Sequence, residues 1–210
     1  YDVKFAFDNL NRQLVAAGLF SKKNKGRATG YFYLKVDPQQ TEKYLLGYEP
    51  FDEGYINNIL GKESEKKKGI TDLAIVETIL RRDGGMLIAA ERKREYERRT
   101  AATGRYSRDD FSPYIVDYYY DDICLISVHP DGNTHWKTIL HKKQYSQDDD
   151  ASFSSFFLLK TPKNLRFLFN DEIKDNSTVS EYVVNGKGDA DRNSVMSTEF
   201  QNIRLRFRDA

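Results

Sequence analysis

Two carboxylates, Glu91 and Asp171, are the residues of this chain whose type and placement best fit acid–base chemistry. Each ends an apolar stretch that is typical of a β-strand. A pair of carboxyl groups can cleave a glycosidic bond when one acts as the acid and the other as base or nucleophile. Acids at strand ends more commonly accept backbone hydrogen bonds or face Lys and Arg, so a structural role is the competing interpretation.

Three histidines, His129, His135 and His141, lie close together in the sequence around a Pro-Asp-Gly-Asn turn. A strand, turn and strand can bring two imidazoles together as metal ligands. No fourth ligand is evident, and alternation along a strand need not place the rings on one face. Ordinary surface or hydrogen-bonded histidines are therefore the preferred interpretation.

A second metal motif begins at Asp189, Asp191 and Asn193, whose spacing resembles the start of a calcium-binding loop. Such a loop needs oxygen ligands at alternate positions, then a glycine and a bidentate acid. Ser194 stands at the glycine position and Phe200 at the position of the acid. The pattern therefore favours a flexible acidic loop, with calcium as the alternative.

Other reactive motifs are absent from the sequence. It has no nucleophile elbow, Walker loop, His-Glu-x-x-His motif or cysteine pair, and no cofactor is predicted. Its single cysteine, Cys124, lies in an apolar run and is predicted to be a buried, inert thiol. With 33 basic and 32 acidic residues the net charge is +1, which predicts no nucleic-acid partner. No apolar run is long enough for a membrane helix.

The stretch from Asp121 to Gln144 predicts a β-hairpin that the rest of the chain repeats. Residues 123–129 are mostly apolar, residues 130–133 form a dense turn signal, and apolar alternation resumes at Trp136. A helix is predicted near 52–61, with Asp52 as its N-cap. Further strands are predicted at 2–8, 14–20, 31–38, 42–51, 71–80, 86–91, 154–161, 165–171 and 203–209, whereas the polar residues 172–199 are expected to be irregular.

Internal similarity predicts a repeated fold. Residues 14–18 align with 87–91, and residues 31–38 align with 123–130, including Pro38 with Pro130. Three units in the same order, at about 1–50, 70–144 and 152–210, are typical of four-stranded propeller blades. We therefore expect an all-β, antiparallel, β-propeller-like fold, with a β-sandwich as the alternative.

The number of blades raises a question of completeness. The chain supplies about two and three-quarter blades, whereas closed propellers have about four to eight. Residues 1–210 are therefore expected to form a single propeller-like domain or a fragment of a larger propeller, with missing blades supplied by the rest of a longer chain.

Four segments, 84–91, 121–146, 154–160 and 165–171, resemble a group of uncharacterised bacterial propeller-like proteins that are usually exported to the cell envelope. The resemblance covers most of residues 1–171 and is carried by Glu91, Gly132, Trp136, Gln144, Asn170 and Asp171. It implies a propeller fold and an envelope location, and it implies no activity. The turn followed by Trp136 is also similar to quinoprotein-type propeller repeats, which implies no quinone; we expect this ring to cover the seam between blades.

The segment 92–122 is predicted to be a projecting hairpin and the partner-binding surface. Residues 92–108 carry a net charge of +5 and residues 109–122 a net charge of −5, so opposite charges lie on opposite arms. Arg92, Arg94 and Arg98 are expected to face Asp117 and Asp121 across the strands. Tyr114, Val116, Tyr118 and Tyr120 would line the other face, either as a binding stripe with Arg94 and Arg98 or as rings packed on the protein's own blade.

These patterns predict a non-catalytic propeller scaffold or binding module of the bacterial envelope that binds a protein or glycan through projecting loops. The alternative is an envelope carbohydrate-active hydrolase or lyase with Glu91 and Asp171 as its acids. The chain opens without an initiator Met, so we expect a processed or truncated chain whose leader is absent from this sequence. The resemblance implies a location in the periplasm or outside the cell.

Overall fold

The described part of the protein is mostly antiparallel β-structure. The computed structural model describes residues 2–22, 26–61, 69–99, 114–171 and 178–197. Within these ranges it has one helix, α1 (Glu53–Leu60), and fifteen strands. The strands are β1 (Asp2–Asp8), β2 (Gln13–Phe20), β3 (Arg27–Ala28), β4 (Gly30–Val36), β5 (Tyr44–Pro50), β6 (Ile70–Thr71), β7 (Leu73–Leu80), β8 (Met86–Arg99), β9 (Tyr114–Val128), β10 (Thr134–Leu140), β11 (Gln144–Gln147), β12 (Phe157–Lys160), β13 (Asn164–Asn170), β14 (Thr178–Asn185) and β15 (Ala190–Ser197).

Three four-stranded meanders account for most of the strands. Sheet 1 has the order β1-β2-β4-β5, sheet 2 the order β7-β8-β9-β10, and sheet 3 the order β12-β13-β14-β15. β11 pairs with β9, and β3 and β6 form a separate ribbon. In each sheet the strands pair in chain order, as the alternating apolar runs predict. None of the sheets closes on itself among the described residues.

The predicted helix is confirmed. The Asp52 side chain accepts a hydrogen bond of 2.7 Å from the Tyr55 N–H and so caps the first turn. The helix ends at Gly61, whose φ of 54° is readily adopted by a residue without a side chain. Its buried side, which includes Ile56 and Ile59, packs into the core.

The central hairpin is also confirmed, since β9 pairs with β10 from Thr134↔Val128 to Leu140↔Ile123. A bulge between Thr134 and Trp136 shifts the register by one residue. The turn is closed by the His129 N–H, which donates to the Asn133 carbonyl at 2.8 Å. The same sheet contains residues 86–91, as the sequence predicted.

The prediction for residues 172–199 is wrong, because most of this segment forms β14 and β15, a complete hairpin at the edge of sheet 3. Polar residues concealed these strands: Ser180 and Glu181 are buried, and Arg166 on β13 neutralises Glu181 with an N–O distance of 2.6 Å. Sheet 3 is therefore complete, which corrects the count of two and three-quarter units to three four-stranded sheets. The strand predicted at 203–209 lies outside the described residues.

Two compact units make up the described chain. The first comprises the described residues up to Arg92, together with Asp122–His141 and Lys187–Asp189, and the second comprises the other described residues. β8 and β9 contribute residues to both. In the first unit, sheets 1 and 2 and helix α1 enclose one apolar core that includes Tyr31, Tyr33, Ile88 and Ile126. In the second, Phe167 and Phe169 of sheet 3 are fully buried.

A helix that crosses a membrane needs about 20 mostly apolar residues. Within the described residues, no helix has the length and apolar character that crossing a bilayer requires.

Candidate interaction surface

The two candidate catalytic acids are both held in structural settings. Glu91 lies inside β8 opposite Ala74 of β7, and its exposed fraction is 0%. Asp171 follows β13 and accepts hydrogen bonds from the Arg192 guanidinium and the Ser180 hydroxyl. Because Glu91 is fully buried in this structure, a substrate cannot reach its carboxylate. The Asp171 carboxylate is already bound by two donors.

The candidate calcium ligands do not converge. Asp191 and Asn193 lie on β15, where they pair with Val183 and Glu181 of β14, and Asp189 precedes the strand. A strand separates successive side chains on one face by two residues and has no loop that could wrap around an ion. In the described parts of the chain, no three His, Cys, Asp or Glu side chains form a group that could hold a metal.

Two of the three histidines come together at the tips of sheet 2. The His129 and His135 ring centroids are 4.3 Å apart, whereas His141 lies 3.2 Å from Asp122. Arg81 donates to His135 Nδ1 at 3.0 Å and to the Ser127 hydroxyl at 2.8 Å. Because a guanidinium only donates, His135 Nδ1 is an acceptor and the ring proton lies on Nε2.

The same surroundings disfavour a positive charge on His135. Burial lowers the pKa of His135, and the Arg81 guanidinium and His129 lower it further. The Arg81 guanidinium also bonds to Asp83 at 2.6 Å, and Asp83 accepts from the Gly85 N–H at 3.0 Å. These contacts hold the tight turn between β7 and β8 beside the turn between β9 and β10, which is an architectural role.

The charged arms of the 92–122 segment pair as predicted. β8 and β9 extend into this segment, and Arg94 and Arg98 pair with Asp121 and Asp117 respectively. The Arg98 Nε lies 2.5 Å from an Asp117 oxygen, and the Tyr145 hydroxyl donates to the same carboxylate at 2.8 Å. Both guanidinium groups are thus occupied by carboxylates of the protein itself. The tip, residues 100–113, lies outside the described residues.

Two of the three tyrosines proposed to bind a partner are buried. Tyr118 and Tyr120 have exposed fractions of 8% and 5% and pack with Ala151 and Val116 in a small core of the second unit. This placement favours the alternative that the rings pack on the protein itself. Tyr114 is 37% exposed, and its ring lies 5.6 Å below the Arg99 guanidinium.

Among the described residues, most of the exposed large apolar side chains lie elsewhere, on one face of sheet 1, which we call the outer face. Phe5 and Tyr48 are each 70% exposed, Tyr44 is 64% exposed and Leu46 is 52% exposed. Register places these residues in three rows across the four strands, none of which contains a charge. The rows are Val3, Gly18, Phe32 and Tyr48; Phe5, Ala16, Leu34 and Leu46; and Phe7, Leu14, Val36 and Tyr44.

The centre of the outer face is closely packed, although its border is open. The Phe32 ring lies directly over Gly18, where a Cβ would come within 2.3 Å of a ring carbon. The small residues Ala16 and Gly18 thus make room for the larger rings of the neighbouring strands. No described residue covers Phe5, Leu46 or Tyr48 to the extent that a core residue is covered.

Sequence reasoning did not single out this surface, yet a signal was present. The central strands of sheet 1, β2 and β4, are apolar on both faces: in β4, Tyr31 and Tyr33 alternate with Phe32 and Leu34. Strands of this kind belong to sheets that are packed on both sides. One side of sheet 1 is packed against sheet 2, and the outer face is the other side.

Comparison with known proteins adds no family. No family model, curated protein or solved structure matches this chain.

Proposed function

We propose that this protein is a non-catalytic scaffold and binding module that binds a protein partner on the outer face of sheet 1. The observation that carries the proposal is a set of three uncharged, apolar rows on a regular sheet, whose residues on the border strands β1 and β5 are exposed. Four strands about 4.8 Å apart and seven residues rising about 3.3 Å each make a face of roughly 400 Å². An apolar patch of this size is comparable to the largest patch on a typical soluble monomer, which is often functional.

The scaffold in this proposal is propeller-like. Three consecutive four-stranded meanders support it, as does the face-to-face packing of sheets 1 and 2 in the first unit. A place in the bacterial envelope is also part of the proposal and rests on the resemblance of the sequence motifs. A protein partner is preferred to a glycan because the outer face offers few polar groups for sugar hydroxyls.

The alternative, a carbohydrate-active hydrolase or lyase, has less support. It requires Glu91 to reach a substrate, and the Glu91 side chain is fully covered within sheet 2. It also requires a second acid free to act, and Asp171 is engaged by Arg192 and Ser180. No contact of the described residues favours this reaction over binding.

A photo-crosslinking experiment tests the proposal. Phe5 is replaced by benzoylphenylalanine in the producing cells, and the crosslinked protein is identified and purified. Its affinity is then measured by calorimetry for the unmodified chain, for Leu46→Asp and for the control Leu159→Asp. Leu159 is 42% exposed on β12, outside the outer face. A charge in the outer face is expected to weaken binding at least about a hundredfold, since a buried unpaired charge costs several kcal/mol.

The control variant is expected to bind as the unmodified chain does. Equal affinities for Leu46→Asp and the unmodified chain would refute the proposal, because the partner would then bind elsewhere.

A further inference from the structure

We infer that the partner of the outer face is another four-stranded antiparallel sheet, which presents to it a face like the one that Tyr31 and Tyr33 present to sheet 2. The inference rests on the proposed function and names the chemistry of the partner. It follows from how sheets 1 and 2 already bind each other within the first unit.

The interface between sheets 1 and 2 has an apolar centre and a polar end. Val15, Ala17 and Leu19 lie beside Tyr31 and Tyr33 in the shared core. At the end of the sheet, two side chains of β4 reach the turns of sheet 2. The Tyr33 hydroxyl donates to the Gly84 carbonyl at 2.7 Å, and the Lys35 ammonium donates to the Pro130 carbonyl at 2.7 Å.

The backbone pairing of sheet 1 identifies which of its faces is in contact. Pro50 has no N–H, so its pairing with Gly30 is of the non-hydrogen-bonded type, as the bond from the Phe51 N–H to the Thr29 carbonyl also shows. Tyr31 and the other odd-numbered residues of β4 therefore direct their peptide groups towards β5. Their side chains form the face in contact with sheet 2.

The backbone pairing of sheet 2 shows the opposite arrangement. The bond from the His129 N–H to the Asn133 carbonyl directs odd-numbered residues of β9 towards β10. Cys124, Ile126 and Val128, which lie in the shared core, therefore direct their peptide groups towards β8. β4 and β9 are each the third strand of their sheet. The contacting residues of β4, however, direct their peptide groups towards the fourth strand, whereas those of β9 direct them towards the second.

Because all residues are L-amino acids, this difference means that the two sheets meet through opposite faces. Sheets 1 and 2 are thus stacked head to tail, and the face of sheet 2 that receives sheet 1 corresponds to the outer face of sheet 1. The aligned sequences agree, since Phe32, Leu34 and Val36 of the outer face align with Cys124, Ile126 and Val128.

For β2 and β8 the stacking corrects the sequence alignment by one residue. Residues 14–18 correspond to 86–90 rather than 87–91, because Ile88 and Ala90 lie on the receiving face of sheet 2 while Ala16 and Gly18 lie on the outer face. An Ala-Ala pair in each strand concealed the shift. With this correction, every compared position of the outer face corresponds to a position on the face of sheet 2 that contacts sheet 1.

Head-to-tail stacking determines the partner. Two copies of this chain cannot repeat the interface by joining their outer faces, because those faces are of the same kind. The complementary face of a second copy, with Tyr31 and Tyr33, is already covered by sheet 2. The incoming sheet is therefore not sheet 1 of a second copy but another sheet of the same repeat type. Its phenol and ammonium groups would reach the turns at residues 9–12 and 37–43 of sheet 1, as Tyr33 and Lys35 reach Gly84 and Pro130.

Thiol labelling tests this inference. Cys124 has an exposed fraction of 0%, and burial raises its pKa to about 12, so the native thiol should not react. Leu46→Cys places a reactive thiol in the outer face. The probe is a second copy of residues 2–61, fused ahead of the chain through a flexible linker. We expect labelling at position 46 to slow by about tenfold or more in the fusion, as docking requires local opening before reaction.

Two controls define the contact. A fusion whose added copy carries Tyr31→Ser and Tyr33→Ser should label as fast as the unfused chain, because it lacks the complementary rings. A thiol from Leu159→Cys should label equally in the fused and unfused chains.

Each outcome decides between partners. Unchanged labelling at position 46 in fusions with a short and a long linker would overturn the inference. Loss of β-structure from the added copy would also overturn it, because the outer face would then fail to hold the sheet inferred to fit it. Protection of the unfused chain that grows with its concentration would identify a second copy instead. The binding experiment with Leu46→Asp is independent of the fusion, so the proposed function can survive either result.

Discussion

The Tyr33 hydroxyl donates a buried hydrogen bond to the Gly84 carbonyl, with 2.7 Å between the two oxygens. Tyr33 is fully buried, and burial raises its pKa to about 12, with the nearby Asp8 and Asp83 carboxylates adding to the shift. The bond joins β4 of sheet 1 to the turn between β7 and β8 of sheet 2. It adds a polar contact to the apolar contacts that hold the two sheets together.

Tyr33→Phe should therefore destabilise the protein. It keeps the ring and removes the donor, so the Gly84 carbonyl loses its bond from the phenol. We expect the free energy of unfolding to fall by about 1 to 3 kcal/mol. Urea denaturation measures this change. Tyr48→Phe, at a residue that is 70% exposed, is the matched control and should change stability by less than about 0.5 kcal/mol. Equal effects would show that the buried bond contributes nothing.

Gly47→Ala should also destabilise the protein, because two backbones meet at this position. A Cβ on Gly47 would lie 2.5 Å from the carbonyl oxygen of Gly132, which cannot move without displacing the turn between β9 and β10. Overpacking of this kind costs about 1 to 3 kcal/mol. Gly186→Ala is the control, since its Cβ would have no atom within 4 Å. A Gly47→Ala variant as stable as the control in urea would contradict the close approach.

The pair of Arg98 and Asp117 predicts a pH dependence. The hydrogen bond from Arg98 lowers the pKa of Asp117, and the hydroxyl of Tyr145 lowers it further. The unfolded chain therefore binds this proton at a higher pH than the folded chain does. The stability from Asp117 is fully present above the unfolded pKa, about 3.9, and is lost as the pH falls through the folded value.

Carboxyl carbon NMR titration of Arg98→Met measures the contribution of the guanidinium. The pKa of Asp117 is expected to rise, while the bond from Tyr145 keeps it below the ordinary range. Arg99→Met leaves the pair intact and should not change this pKa. An unchanged pKa in Arg98→Met would exclude the ion pair.

Tyr120→Ser distinguishes a core ring from a binding ring. Tyr120 is 5% exposed and packs with Tyr118 and Ala151, so the truncation should cost about 3 kcal/mol or more. Thermal unfolding would show a large fall in Tm. Tyr114→Ser, at a position 37% exposed, should shift the Tm little. A Tyr120→Ser variant with the Tm of the unmodified chain would restore the tyrosine stripe as a candidate binding surface.

Local patterns in the sequence were sufficient to predict the main elements. The Asp52 cap, the turn before Trp136 and the alternation in β1 each depend on contacts within a few residues. The opposite charges of Arg98 and Asp117 also predicted the pairing of two long strands, because cross-strand neighbours follow from register.

The predictions that failed depend on contacts between distant segments. Ser180 and Glu181 are polar residues inside β14, and their burial is possible only because β13 supplies Arg166 as a partner for Glu181. Gly188 was equally uninformative in the sequence, yet it lies against the Trp136 ring, where a Cβ would come within 2.5 Å of the indole.

The exposure of the outer face could not be predicted for the same reason. The alternation of β4 shows two apolar faces, Tyr31 and Tyr33 on one and Phe32 and Leu34 on the other. Nothing in a single strand tells which face its neighbour covers. That choice is made by the packing of a whole sheet on another, which places Tyr33 inside and leaves Tyr48 of the neighbouring strand 70% exposed.

The position of β1 has a consequence for the isolated chain. Among the described strands, the backbone of β1 pairs only with β2, so β1 borders sheet 1. Its Asp2 carboxylate also accepts a hydrogen bond of 2.6 Å from the Ile75 N–H of β7. The strand presents Phe5 and Phe7 to solvent, with Lys4 as the single charge between Asp2 and Asp8. A short strand of high β-propensity at a sheet border is a template for aggregation. The free chain should therefore have a limited solubility, and in the proposed complex the rate of docking relative to self-association would determine how much of the chain is docked.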